Sequence, residues 1–144
     1  MGGSRIAIRI SSYAPDNMAI KLIECDKQKS YKLAEYMNDI IIIQGDGRNV
    51  DLLKEEGIRD MDAFIALTDS SETNILACLT AKELGVKKTI AEVENIQFIS
   101  TAERLNIGNI INKKLLAASR IFQLLLDEDS SNAKCLALSD AEAV

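Results

Sequence analysis

The chain has 144 residues, 47% of them apolar, with 17 basic and 22 acidic residues for a formal net charge of −5. That length and composition fit one globular domain able to bury a core without staples. An acidic surface repels phosphate backbones, and aromatics at 4% with no Trp offer no base-stacking platform, so nucleic-acid binding is excluded as a working reading.

The first element, "MGGSRIAIRISS", supports two readings. Ile6, Ile8 and Ile10 alternate with Arg5, Ala7 and Arg9, the period of a half-buried strand. Gly2 and Gly3 before Ser4 also look like a phosphate-cradling turn that opens a helix. Ile6 and Ile10, with Ala14 four positions on, form a helical face as well. In the second reading Met1 stands where the strand feeding the turn belongs.

"AIKLIE" (Ala19–Glu24) reads as a strand, and "DKQKSYKLAEYM" as a helix with Leu33, Tyr36 and Met37 on one face. Ile40–Ile43 is a β-branched run that fits a strand buried on both faces. "GDG" (Gly45–Gly47) breaks it, and "VDLLKEEG" is a short helix ended by Gly57. Ala63–Leu67 is the next buried strand. The helix after it is capped by Asp69 with Glu72 as a capping box, and Gly85 closes it. Lys88–Val93 is a strand, "QFISTAERLNIG" a helix ending near Gly108, Asn109–Ile111 a short strand, and "KLLAASRIFQLLLDED" a longer helix, apolar at Leu116, Ile121, Leu124 and Leu125. This β-α order implies a doubly wound, Rossmann-like α/β domain with a parallel sheet and right-handed crossovers. The domain is expected over residues 1–127. Residues 128–144, beginning with a polar break and ending in "LALSDAEAV", read as a linker and the start of a following domain.

Residue types narrow the chemistry. His is absent, which removes Ser-His-Asp and Cys-His nucleophiles and His-based metal sites but leaves Lys, Asp or Tyr chemistry open. Cys25, Cys78 and Cys135 are far apart and odd in number, which suits a reducing cytosol. Cys25 and Cys78 sit in apolar runs as small hydrophobes, and no C-x-x-C pair suggests zinc. No apolar run nears the ~20 residues of a membrane span, and the basic start lacks a signal-peptide core.

Open parallel sheets bind ligands at the carboxyl ends of their strands. Here those ends carry Glu24, Asp46, Thr68 with Asp69, and Glu92 with Glu94. Glu24 stands 22 positions after Gly2, close to the spacing at which a dinucleotide fold places the acid that accepts from the adenosine ribose hydroxyls. The same carboxylate repels a 2′-phosphate, so NAD or an adenosine phosphate is favoured over NADP. The glycine turn reads Gly2-Gly3-Ser4-Arg5-Ile6-Ala7. Ser4 puts a Cβ where the backbone should approach a pyrophosphate, although its hydroxyl can donate, and Arg5 adds charge beside a helix N-terminus. Alone this match is weak, because Gly-Gly-Ser is also a common linker. Asp46 can accept from an adenine amine, and it is also an ordinary Asp-Gly turn residue, the commoner case.

The blocks "AIKLIECD", "IIIIQGDGRNVDLLKEEGI", "DAFIALTDSSETNILACLTAKELGVKKTIAEV" and "LLAASRI" resemble the regulator-of-potassium-conductance (RCK, or KTN) family, and within it the Trk-type potassium uptake regulatory proteins (TrkA). The resemblance runs from Gly2 to about Leu126. It implies that Gly2, Ser4, Arg5 and Ile6, in the turn that also holds Gly3, line a pyrophosphate. It further implies that Glu24 holds the adenosine ribose, that Lys29 neighbours the adenine side, that Asp46 and Gly47 sit by the adenine, and that Thr68 faces the phosphate or second ribose. Ser4 in place of a glycine and the missing first strand depart from the family pattern. The implied function is non-catalytic sensing of NAD(H), or of ATP/ADP. The implied partner is a membrane potassium transporter subunit contacted from the cytoplasmic side, without insertion into the membrane. A homo-oligomer, at least a dimer, is implied, with Ile121–Leu126 the interface candidate.

Glu92 and Glu94 lie two apart on one strand face. Some channel-gating relatives look similar here and bind divalent cations, but Ser70 stands where an acid would align, so a solvated acidic rim is the favoured reading. Two other functions compete with sensing: an NAD-dependent oxidoreductase fragment, and a structural dimerisation domain with no ligand. The missing strand would lie centrally, between the strands ending at Glu24 and Thr68, so another segment must fill that gap or the chain belongs to a longer protein. Residues 5–10 are a candidate filler.

Overall fold

A computed structural model describes residues 1–15 and 17–129. Short apolar runs form strands and the segments between them form helices, in the order α1 (Arg5–Ser12), β1 (Lys21–Glu24), α2 (Lys27–Tyr36), β2 (Ile41–Gln44), α3 (Val50–Glu55), β3 (Ala63–Ala66), α4 (Ser71–Glu83), β4 (Lys88–Glu92), α5 (Ile99–Arg104), β5 (Asn109–Ile111) and α6 (Lys113–Asp129). Single 3-10 turns lie at Ile58–Asp60 and Ile96–Phe98. All strand pairs are parallel: β1 pairs with β2, and β4 lies between β3 and β5. This is the expected α/β, Rossmann-like architecture. The segment read as a following domain falls outside the described residues beyond Asp129, where α6 has already run past the expected boundary at residue 127.

The core is aliphatic and built on small helix residues. Ala77, Cys78 and Ala81 of α4 have no exposed surface, which lets the helix lie close on β3 and β4. Leu53, Val93 and Ile107 close the remaining space. Three local expectations are corrected. The isoleucine run is not buried on both faces: β2 is an edge strand, so Ile41 is 57% exposed and only Ile43 is buried. Cys25 follows β1 at the surface and is exposed, whereas Cys78 is buried as expected, and burial pushes its thiol up to about 11. The cap of α4 is Ser70, whose hydroxyl accepts from the Thr73 amide, and not Asp69.

Residues 5–10 do not fill the central gap. They form a regular helix capped by Ser4, because Gly2, in the left-handed region at φ 86°, turns the chain out of the sheet. Met1 and Gly2 bridge the two sheets instead. The Met1 ammonium donates to the Ile65 carbonyl at 2.7 Å, the Met1 carbonyl accepts from Leu67 N–H at 3.0 Å, and Gly2 N–H donates to the Ile23 carbonyl at 2.8 Å. This is the hydrogen-bond pattern of a parallel strand bonded on both edges. Burial pushes the Met1 ammonium down to about 6, against weaker attraction from Cys78 and Glu24. Behind Met1 lies a slot of about 570 Å³ walled by Ala7 and Ile10 of α1, Ile23 and Ile65 of the flanking strands, and Leu53 and Ile58. The apolar face of α1 looks into this slot, so none of the helix's residues is fully buried.

Candidate functional site

The cleft forms where β1 and β3 end and Met1–Gly2 joins them. A Cβ on Gly2 would lie 3.0 Å from the Leu67 carbonyl and from Thr68 Cγ2, so the first glycine sets the turn directly against the end of β3. A Cβ on Gly3 would meet Leu33 at 2.5 Å and Glu24 Oε2 at 2.8 Å. Glycine is therefore needed at Gly2, where φ is positive and the contact is with backbone, while a side chain at Gly3 would displace the ends of Leu33 and Glu24. Ser4 then caps α1 by accepting from Ala7 N–H at 3.3 Å. The amides of Arg5 and Ile6 precede the first intrahelical bond, from Ile8 to Ser4, and stay free for an anion at the positive end of the helix. Arg5 is exposed beside them.

Glu24 ends β1 with only 4% of its surface exposed. Its Oε2 accepts from Gly3 N–H at 2.8 Å and from the Lys29 ammonium at 3.1 Å, and its Oε1 accepts from Asp26 N–H at 3.0 Å. Burial pushes the carboxyl up, but the amides of Asp26 and Gly3 and the Lys29 charge outweigh it and hold it below its ordinary value. Lys29 reaches this position because Asp26 caps α2 by accepting from the Lys29 amide at 2.7 Å, which fixes the first turn under Glu24.

Asp46 and Gly47 follow β2. Gly47 is buried against the Met1 side chain, where a Cβ would meet Cγ at 2.5 Å. Asp46 sits in an Asx turn, accepting from the Arg48 amide at 2.9 Å and from the Arg48 guanidinium at 2.7 Å. The ordinary-turn reading therefore describes its protein contacts. The side-chain hydrogen bond from Arg48 is the main cause holding its carboxyl below the usual value. Thr68 donates its hydroxyl to Asn74 Oδ1 at 2.6 Å and its amide to the same oxygen at 3.0 Å. The structure thus brings Gly2, Gly3, Glu24, Lys29, Gly47 and Thr68 into contact around the Met1–Gly2 bridge. Ser4, Arg5 and Ile6 stand at the start of α1, and Asp46 engages Arg48.

Four residues outside that set shape the cleft floor. Asn74 has no exposed surface; its amide nitrogen donates to the Thr68 and Glu92 carbonyls at 2.9 and 2.8 Å. Ser71 Oγ accepts from the Glu94 and Asn95 amides. Asn112 donates to the Val93 and Glu94 carbonyls. Lys113 pairs with Glu92, and the hydrogen bond to that carboxylate is the main cause raising its own pKa. The acidic rim needs correction: Glu92 is 3% exposed rather than solvated, while Glu94 is half-exposed and pairs with Lys114 at 3.6 Å. Among the described residues no group of three or more His, Cys, Asp or Glu side chains converges for a metal. The signal for Asn74 is a polar residue at the head of the apolar run "ILACL" (Ile75–Leu79).

Known proteins are similar to this chain in sequence and in fold. The chain is 33% identical over 111 residues to the Trk system potassium uptake protein trkA homolog 1 of Methanosarcina mazei, covering 77% of this chain and 27% of that relative. It thus spans about a quarter of that relative's length. The TrkA-N domain of the inner membrane protein ybaL from Escherichia coli superposes with a TM-score of 0.73 at 11% identity, covering 85% of this chain and 90% of that one. The GsuK channel bound to NAD superposes with a TM-score of 0.67 at 15% identity, covering 79% of this chain and 20% of the channel's. The family model of the TrkA-N domain matches residues 1–113, from the Met1–Gly2 bridge through the start of α6, and the chain belongs to the TrkA-N domain family.

Proposed function

We propose that this chain is the nucleotide-binding regulatory domain of a potassium transport system, that its ligand is NAD(H), with ATP/ADP the alternative, and that it has no catalysis of its own. The observation that carries this reading is Glu24. It is a buried, charged carboxylate at the end of β1, hydrogen-bonded to the glycine turn, beside the free amides of α1. In a dinucleotide fold that position holds the ribose hydroxyls while the helix N-terminus holds the pyrophosphate. The kinship with a potassium uptake protein and the NAD-bound channel of the same fold support both the ligand and the setting.

In this reading Gly2, Gly3, Ser4, Arg5 and Ile6 contact the pyrophosphate, Glu24 the ribose, Lys29, Asp46 and Gly47 the adenosine end, and Thr68 the far phosphate or ribose. The ligand shifts the domain between two arrangements by binding one better than the other, and that shift is passed to a membrane potassium transporter at its cytoplasmic face. No helix among the described residues is long and apolar enough to cross a membrane. Leu116, Ile121, Phe122, Leu124 and Leu125 of α6 are more than half exposed, which supports pairing of two copies through this helix.

A ligand-free structural role is the second reading, and it draws on Glu24's being satisfied by the protein's own donors. Calorimetry with NADH, NAD and ATP separates the two: heat with a saturable isotherm for one of them is expected, and no binding of any would sink the sensing role. Turnover in a hydride-transfer panel would overturn the non-catalytic assignment.

A further inference from the structure

We propose that the slot between the two sheets receives one extended apolar strand donated by a separate polypeptide, seated parallel to β1 and β3 with its carboxyl end against Met1. This is independent of the nucleotide reading. β1 is paired on one side by β2, and β3 on one side by β4, so each turns its other edge to the slot. The bonds that Ile23 and Ile65 make to Met1 and Gly2 set the phase of those edges. The N–H groups of Ile23 and Ile65, and both backbone groups of Lys21 and Ala63, therefore point into the slot, and they have no hydrogen-bond partner among the described residues.

A helix cannot satisfy two such rows, because it spends its backbone groups on itself. An extended main chain offers a donor and an acceptor at each step, and a parallel one continues the ladder in which Met1 and Gly2 are the last rung. The free edges run over Lys21–Ile23 and Ala63–Ile65, about 10 Å at ~3.3 Å per residue, which takes about four residues. The walls choose the side chains. Ala7 and Ile10 of α1 line the slot together with Leu53 and Ile58, so a continuous apolar run fits, as in a strand covered on both faces. The mouth at the amino ends of β1 and β3 is acidic. Lys21 is held there by Glu56 at 3.0 Å, while Asp60 and Asp62 are exposed and form no ion pair among the described residues. A basic residue just ahead of the apolar run complements them. The described part of a second copy offers no donor, because each of its strands is already built into a sheet and Arg5–Ser12 is helical.

The probe is the synthetic peptide acetyl-Lys-Lys-Val-Ile-Val-Val-amide, added to the full 144-residue chain. Fluorescence anisotropy of the labelled peptide should give a saturable isotherm. With peptide at about ten times its Kd, amide exchange at Ile23 and Ile65 should slow about tenfold, the factor that mass action sets, with Phe64 and Ala66 unchanged. Replacing the two peptide lysines by glutamates should weaken binding roughly threefold or more, the scale of two exposed ion pairs, and Asp60→Lys with Asp62→Lys in the protein should restore it. Ala7→Phe, which fills the slot, should abolish the protection. If its melting transition shows that it does not fold, the charge exchange at the exposed mouth carries the test. The absence of saturable binding overturns the proposal, and so does binding that leaves exchange at Ile23 and Ile65 unchanged, or equal affinity for the two peptides. Protection of Ile23 and Ile65 in the chain without peptide overturns it as well. Protection independent of concentration assigns the slot to the chain's own residues, and protection that rises with concentration assigns it to a second copy.

Discussion

Asn74 joins the ends of β3 and β4 through one amide, and its removal tests how the cleft floor is held. Asn74→Ala leaves the buried Glu92 carbonyl and the part-buried Thr68 carbonyl without this donor and frees the Thr68 hydroxyl. Unfolding in urea should show a loss of about 2–4 kcal/mol, from unpaired buried groups at roughly 1–3 kcal/mol each. A loss under about 0.5 kcal/mol, the range of an ordinary surface change, would show that water replaces the amide. Glu24 makes a pH prediction. Its pKa is lower in the folded chain than in the unfolded one, so its contribution is full above the ordinary carboxylate value and fades as pH falls through the folded value. The stability difference between the unaltered chain and E24Q should therefore shrink as the pH is lowered from 6 towards 3. A difference that stays constant across that range contradicts the charged hydrogen-bond network.

At the scale of elements, periodicity and turn residues located β1–β5 and α2–α6 to within a few residues, while the alternating isoleucines left Arg5–Ser12 open between strand and helix. The spacing from Gly2 to Glu24 brought the turn and the acid together because a β-strand and a short helix fix that distance. Neighbourhood in the sheet was less legible. Ile41 and Ile42 look like core in the chain, but an edge strand has a neighbour on one side only. Cys25 looks like core too, but it falls one residue beyond the strand's end, where the chain leaves the sheet. Ser70 takes the cap from Asp69 because the helix begins one residue later than the capping-box spacing suggests. Asn74, Ser71 and Asn112 carry no periodic mark, since what makes them structural is the strand end each one faces. Ser70→Ala should cost about 1 kcal/mol in the same unfolding measurement. On α6, Phe122→Glu should convert a dimer to a monomer in analytical ultracentrifugation. An unchanged sedimentation coefficient would contradict pairing through this helix.

At the scale of the whole molecule, the described residues form two parallel sheets held together at their carboxyl ends by Met1 and Gly2, over a slot with two strand edges. In a parallel ladder alternate residues face one side, so the bonds at Ile23 and Ile65 place those residues on the slot side, while Phe64 and Ala66 face β4. Amide exchange should follow that division, with Ile23 and Ile65 exchanging faster than Phe64 and Ala66. Equal protection would mean that the sheets close on each other in solution. The cleft itself is best tested by titrating NADH into isotopically labelled chain and following the backbone amides. The account predicts saturable shifts at Gly2–Ile6, Glu24–Lys29, Asp46–Arg48 and Thr68, with α6 unmoved at low protein concentration. Shifts absent from the glycine turn and from Glu24, or confined to other faces, would contradict it.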